Sequence, residues 1–505
     1  MTASTIKFFL QLTVVVAISR CSSESTKPNF VVILTDDQDI TIGGMTPMKK
    51  TQKLIANEGI TFPNAFVTTP ICCPSRTSIL TGLYQHNHRT VNNSFEGNCF
   101  GRKWQNELEP YALPVPLRAL GYKTFYAGKY LNQYGRKEKG TAHVPPGWDW
   151  WIGLVGNSRY YNYTLSVNGS RVQHGDQEGD YLTDVITSYS LEFLKQKDVL
   201  SSGFFMMLAP PAPHAPFTPA QSYSGYFKHV TAMRTKNFNV PSKHKHWLLR
   251  MPPEELPTTT LKTLDRYYHK RWETLLSVDD MVESVVNTLN SMNVLNNTYI
   301  IYTSDNGFHI GQFALPWDKR QPYEFDISVP MLVRGPGIPK KKVIYDIVLN
   351  IDLAPTIIDI ANASPLINMD GKSFKQLLIS VNKTNKRGFL VEYVGEGNDE
   401  TIDPKCHLPV DNDISQCVQA ASCKCQDSRN NTYTCLRYMS SAENIIYCQF
   451  SDSENYKEAY NLNVDPYQLT NLAYNLSSDS ESWYVKVLKY LSSCVGLKCN
   501  SLMTR

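Results

Sequence analysis

The run CCPSRTSILTG at positions 72–82 holds the densest chemistry in the chain. Pro74, two places after Cys72, suits the first turn of a helix, where a missing backbone N–H leaves nothing unbonded. The run therefore reads as an exposed loop feeding a helix. Amides at a helix N-terminus favour anions and Arg76 adds a fixed positive charge one turn along, so an anionic substrate is the expected guest. A buried or disulfide-bonded cysteine pair before an ordinary helix is the plainer alternative. A second cluster sets Asp36 and Asp37 against Asp305 and Asn306. Four hard oxygen side chains suit Ca2+ or Mg2+, whereas zinc would want His or Cys. Each pair taken alone also reads as an acidic turn. His214, held between prolines in Pro213-His214-Ala215-Pro216, is better placed for catalysis than a lone histidine usually is.

These groups need elements to carry them. The β-branched, unalternating run at 29–35 has the look of a buried parallel strand and stops at Asp36. Similar runs at 122–127, 203–208 and 299–303 stop at Gly128-Lys129, at the prolines before His214 and at Ser304-Asp305. Helical spacing lies between them, most clearly over 260–292. Alternating strands and helices predict an α/β fold with a mostly parallel sheet, whose ligands bind beyond the carboxyl ends of the strands. All of these clusters are therefore expected along one edge. From about residue 386 short apolar runs alternate with cysteine-rich loops, which predicts a smaller antiparallel-sheet subdomain over 386–505, closed by a helix around 483–491.

Composition narrows the setting. A chain of 505 residues with 42% hydrophobic and 19% charged residues can bury a large core, and its net charge of +4 is too small and too spread out for nucleic-acid binding. Positions 1–23 read as a signal peptide, too short for a comfortable membrane span, and no other segment suggests a membrane partner. Sequons at Asn92, Asn162, Asn168, Asn296, Asn362, Asn382, Asn430 and Asn475 agree with a secretory route. Cys406 to Cys499 contribute eight cysteines, for which disulfides are the default in an oxidising compartment. Lys245, His246 and Trp247 could offer an anionic sugar charge and an aromatic face, or could begin a surface helix over a buried Trp.

The Cys-x-Pro-Ser-Arg run resembles the sulfatase signature, and the resemblance implies a sulfatase/alkaline-phosphatase-like fold with a catalytic domain over 24–385. It also implies that Cys72 is oxidised to formylglycine by a formylglycine-generating enzyme, with Cys73 at a variable position. By the same resemblance Asp36, Asp37, Asp305 and Asn306, with the residue at 72, bind one Ca2+. Lys129, His214 and Lys319 join Arg76 in holding the sulfate and handling protons. Arg320 competes with Lys319, and spacing favours Lys319. His309 is placed near the metal as a substrate contact or, equally, in packing. Many relatives carry a histidine two residues after the first lysine; this chain has Leu131 there, followed by Asn132.

Longer stretches, FYAGKYLNQYG, PPGWDWW, KHKHWLLR, RWETLLSVDDMVE and DKRQPYEFDISVPMLVRGPG among them, resemble the sulfatases of glycosaminoglycan breakdown. That implies an exo-acting, lysosomal enzyme removing the 6-O-sulfate of N-acetylglucosamine in heparan sulfate and keratan sulfate, with a homodimer admitted. An extracellular 6-O-endosulfatase of heparan sulfate, or a secreted glycan-binding relative without turnover, are the alternatives. The basic insertion of the endosulfatases is missing.

Overall fold

The structure is a computed structural model and describes residues 27–136, 140–380, 386–408 and 413–501. The expected leader, Cys21 and the sequon at Asn382 lie outside the described residues.

Strand Asn29–Thr35 is buried along its whole length, and its side chains alternate between two apolar layers. Phe30, Val32 and Leu34 enter one core while Val31 and Ile33 enter the other, so the sheet is covered on both faces. Each such side chain contributes about 1.5–3 kcal/mol of burial. This strand lies between Thr298–Ser304 and Phe204–Ala209, parallel to both. Lys123–Lys129 and Trp150–Leu154 continue the parallel order. The four strand runs legible in the sequence are thus immediate neighbours in a ten-stranded sheet whose outer members are mostly antiparallel. Helix Thr258–Ser291 lays Leu275, Val278, Met281, Val282 and Val285 on one face of it.

Beyond residue 386 a second sheet of four antiparallel strands forms from Arg387–Tyr393, Tyr433–Met439, Asn444–Phe450 and Lys457–Asn461. Helix Ser478–Leu491 packs against it through Tyr484, Val487 and Leu488. All eight cysteines of this part pair among themselves, as Cys406–Cys423, Cys417–Cys425, Cys435–Cys448 and Cys494–Cys499. Among the described residues no helix is long and apolar enough to cross a membrane. The sequons at Asn162, Asn168, Asn296, Asn362 and Asn475 are exposed, and those at Asn92 and Asn430 partly so.

Candidate active site

Helix Cys72–Thr81 begins at Cys72 itself and is buried throughout. The loop before it, residues 67–71, is buried and not exposed as expected, and Cys72 has no solvent exposure, the helix being packed against Asn350–Asp352 and helix Leu353–Ala361. Gly82 ends the helix in a left-handed conformation (φ 70°), as a helix cap without a Cβ readily does. Cys73 is bound to Cys99, which leaves Cys72 as the free thiol among the described residues. Burial pushes that thiol up to about 12, although Lys129 and Lys319 pull the other way. An unmodified Cys72 is therefore a neutral thiol and a poor nucleophile.

The surrounding groups arrive from the strand ends. Asp36 follows Asn29–Thr35 and its N–H donates to Ala212 O at 3.0 Å. Asp37 turns into a left-handed conformation (φ 66°), where its N–H donates to Asp305 Oδ1 at 3.0 Å. Lys129, at the end of its strand, places Nζ 2.9 and 2.7 Å from the two oxygens of Asp36. Gly128 before it must lack a side chain: at φ 114°, a Cβ there would meet Ala209 O at 2.0 Å. Lys319 Nζ donates to Asp37 Oδ2 at 2.8 Å. Arg76 donates through Nε to Asp305 Oδ2 at 2.8 Å and through Nη1 to Lys129 O at 2.6 Å. Its Nη2 stands 3.6 Å from Asp36 Oδ1 with no hydrogen bond. Cys72 Sγ lies 3.9 Å from Asp37 Oδ1.

Three buried carboxylates thus face three buried cations. Burial works against the charge of Asp36, but Lys129, His214, Arg76 and Lys319 together hold it well below the usual carboxylate range. Burial raises Asp305 to about 7, which Arg76 only partly offsets. Burial opposes the charge of Lys319 too, yet Asp37 beside it keeps it well above the ordinary lysine value. His214 is lowered by burial against the pull of Asp36 and Asp37. Its Nδ1 is 2.6 Å from Ala215 O, an atom that can only accept, so Nδ1 carries the hydrogen. Nε2, 3.7 Å from Asp37 Oδ2, is then the nitrogen that accepts a proton.

The oxygen donors here, from Asp36, Asp37, Asp305 and Asn306, fit a hard divalent cation. Ligand atoms of Asp36, Asp37, Cys72 and His214 lie within 4.8 Å of one another. Asp305 and Asn306 are tied to the same point through Asp37. Asn306 Oδ1 is buried without a hydrogen-bond partner, which is what an oxygen reserved for a cation would show.

Other residues part company with the sequence reading. Lys245 is buried under the second sheet, donating to Tyr460 Oη at 2.7 Å and Gln468 O at 2.5 Å, with Phe313 and Tyr323 rings about its charge. His246 stacks on Phe450 and reaches Asp452 at 3.0 Å. Neither faces the cleft, so both are corrected from sugar contacts to packing groups. His309 has no exposure and is 3.0 Å from both oxygens of Asp326 and 3.3 Å from Gln426 Oε1, again a packed position and not a substrate contact. Leu131 is in the core, while Asn132 lines the cleft with its Nδ2 3.3 Å from Asn157 Oδ1. Ser158, which sequence reasoning missed, donates to Asp36 Oδ2. Its only signal was Gly156-Asn157-Ser158 after an apolar strand.

A cleft of about 910 Å3 opens over Asp37, His214 and Lys319. Arg136, Arg320, Arg429 and several amides stand along it, with Glu396 and Gln426 entering from the cysteine-rich part.

A model of the sulfatase family matches residues 28–363. Human N-acetylglucosamine-6-sulfatase is 50% identical over 480 residues, covering 94% of this chain and 86% of that protein. The goat enzyme of the same name is 49% identical over 96% of this chain and 87% of its own. A structure solved with its substrate D-glucosamine-2-N,6-O-disulfate superposes with a TM-score of 0.70 at 20% identity, covering 92% and 97% of the two chains. At that identity the likeness speaks to the fold.

Proposed function

The chain belongs to the sulfatase family and is a sulfuric ester hydrolase, and from that premise we propose that it removes the 6-O-sulfate of N-acetylglucosamine at the ends of heparan sulfate and keratan sulfate chains. The reading includes a formylglycine formed from Cys72 by a converting enzyme, one calcium ion and a lysosomal destination reached through the secretory pathway. The observation that carries it is Cys72: an unpaired, buried thiol at a helix start, ringed by Asp37, Lys129, Lys319 and Arg76, in a chain half identical to N-acetylglucosamine-6-sulfatases.

A formylglycine at position 72 would supply a hydrated aldehyde as nucleophile, and calcium held by Asp36, Asp37, Asp305 and Asn306 would supply positive charge against the sulfate oxygens. The remaining work belongs to this chain's own side chains. Lys129 and Lys319 bring two ammonium groups to the point where sulfate charge grows, and burial makes each worth more than in water. Arg76 holds Asp305 in place and leaves Nη2 for an incoming oxygen. His214 takes or returns a proton at Nε2, because Nδ1 is fixed on Ala215 O. A cleft of about 910 Å3 with arginines and amides along it suits a polar, anionic sugar.

The test is the mass of the peptide containing position 72, from protein made with the converting enzyme present, together with sulfate release from N-acetylglucosamine-6-sulfate. Unmodified cysteine would overturn the mechanism. Cleavage of internal 6-sulfates only would replace the exo reading with the endosulfatase one.

A further inference from the structure

Glu396 is the one carboxylate that the cysteine-rich part sends into the catalytic cleft among the described lining residues. Its Oε1 accepts the Asn93 N–H at 2.9 Å and its Oε2 accepts Arg320 Nη1. The two oxygens therefore serve opposite walls. On the first wall, Asn93 Oδ1 accepts the N–H of Cys73 at 2.9 Å, directly after the residue expected to be the nucleophile. Cys73 is in turn anchored to Cys99, and Asn93 O accepts Gln133 Nε2 at 2.8 Å. On the second wall, Arg320 is the neighbour of Lys319 and spreads its charge over Asp318 at 3.0 Å, Asp427 at 3.3 Å and Tyr393 Oη at 3.1 Å. Glu396 is itself held from behind: its N–H donates to Asp427 Oδ2 at 2.8 Å and its carbonyl accepts Ser415 Oγ. A side chain only 15% exposed, gripped at backbone and carboxylate, behaves as a rigid strut and not as a surface ion pair.

We propose that Glu396 is a positioning residue that ties the second sheet to catalysis, one oxygen setting the start of the nucleophile helix through Asn93 and the other setting Arg320 in the sugar cleft. The inference rests on the sulfatase reading above and assigns its two oxygens separable effects. A small displacement of a reacting group costs up to about a hundredfold in rate. Loss of the Asn93 contact should therefore appear in kcat on any sulfate ester. Loss of the Arg320 contact should appear in KM for the sugar substrate alone.

Glu396→Ala, Glu396→Gln and Asn93→Ala would be compared with the parent on N-acetylglucosamine-6-sulfate and on a small aryl sulfate, with thermal unfolding and the residue-72 mass measured on each. Glu396→Ala is expected to lower kcat about tenfold or more on both esters. Glu396→Gln keeps an acceptor for Asn93 and should recover most of that kcat while retaining a raised KM for the sugar ester. Asn93→Ala should lower kcat with little change in KM. Unchanged kcat in Glu396→Ala, or losses that track only the unfolding temperature or incomplete conversion of Cys72, would overturn the proposal. If the parent cleaves the aryl sulfate and not the sugar ester, the substrate reading fails while the kcat arm of this test still decides the role of Glu396.

Discussion

Two sets of buried cations sit on either side of the boundary between the sheets, and they are solved in different ways. Around Cys72, Arg76, Lys129 and Lys319 are each paired with a carboxylate, and an arginine nitrogen and an asparagine oxygen are left without partners. In the cysteine-rich part, Lys424 donates to the carbonyls of Leu249, Met251 and Pro253, and Lys245 sits among a hydroxyl, a carbonyl and three aromatic rings, with its nearest carboxylate, Glu458, 4.0 Å away. Burial accordingly moves the second pair down, Lys245 to about 7 and Lys424 to about 8, while Lys319 is held up by Asp37. The first arrangement is charged and incomplete, ready for an ion and an anionic ester. The second is complete in itself and locks two parts of the chain together.

The contrast can be broken first where the expected effect is largest. Cys72→Ala and Asp305→Ala should each lower kcat about a thousandfold or more while the protein still folds, measured as sulfate release from a purified, folded variant. Near-parental turnover in either would remove it from the site. Chelation should abolish turnover, and calcium should restore it and also raise the unfolding temperature, since a ligand bound to the native state alone stabilises it. A chelator without effect on either readout would remove calcium from the reading. Next, Lys319→Ala should lower kcat about a hundredfold, as for loss of one donor to developing charge. In the seam, Lys245→Ala should do the reverse, lowering stability by about 2–4 kcal/mol through the cavity and the orphaned carbonyl, with kcat per folded molecule unchanged. A large kcat loss there would return Lys245 to the site.

The smallest effect is a pH slope. Lys245 and Lys424 have depressed values in the folded chain, so between those values and the ordinary lysine value of 10.5 the unfolded chain binds more protons. Stability should therefore rise with pH above about 7, and the burial penalty is present in full at lower pH. Lys245→Met should flatten that rise in thermal unfolding followed over the same range. An unchanged slope would show that Lys245 keeps its proton throughout.

Much of this was legible without coordinates. The apolar runs that stop before Asp36 and Asp305 announced parallel strands, because a strand buried on both faces tolerates little polar alternation, and parallel neighbours present their carboxyl ends together. The even set of cysteines from Cys406 to Cys499 announced disulfides for the same kind of local reason, their number and spacing, though not their pairing. Local pattern misjudged what depends on distant neighbours. Lys245-His246-Trp247 has the composition of a sugar site, but strand Lys457–Asn461 covers it, and burial is a property of what packs above a residue. The buried state of Cys72, the partner of Ser158 and the double grip of Glu396 arise from residues up to about three hundred positions apart. Local sequence was enough to set the residue types, the strand ends that carry them and the signature around Cys72. Folding settles which charges neutralise each other and which remain for a substrate, because that balance is set by distances of a few ångströms between segments far apart in the chain.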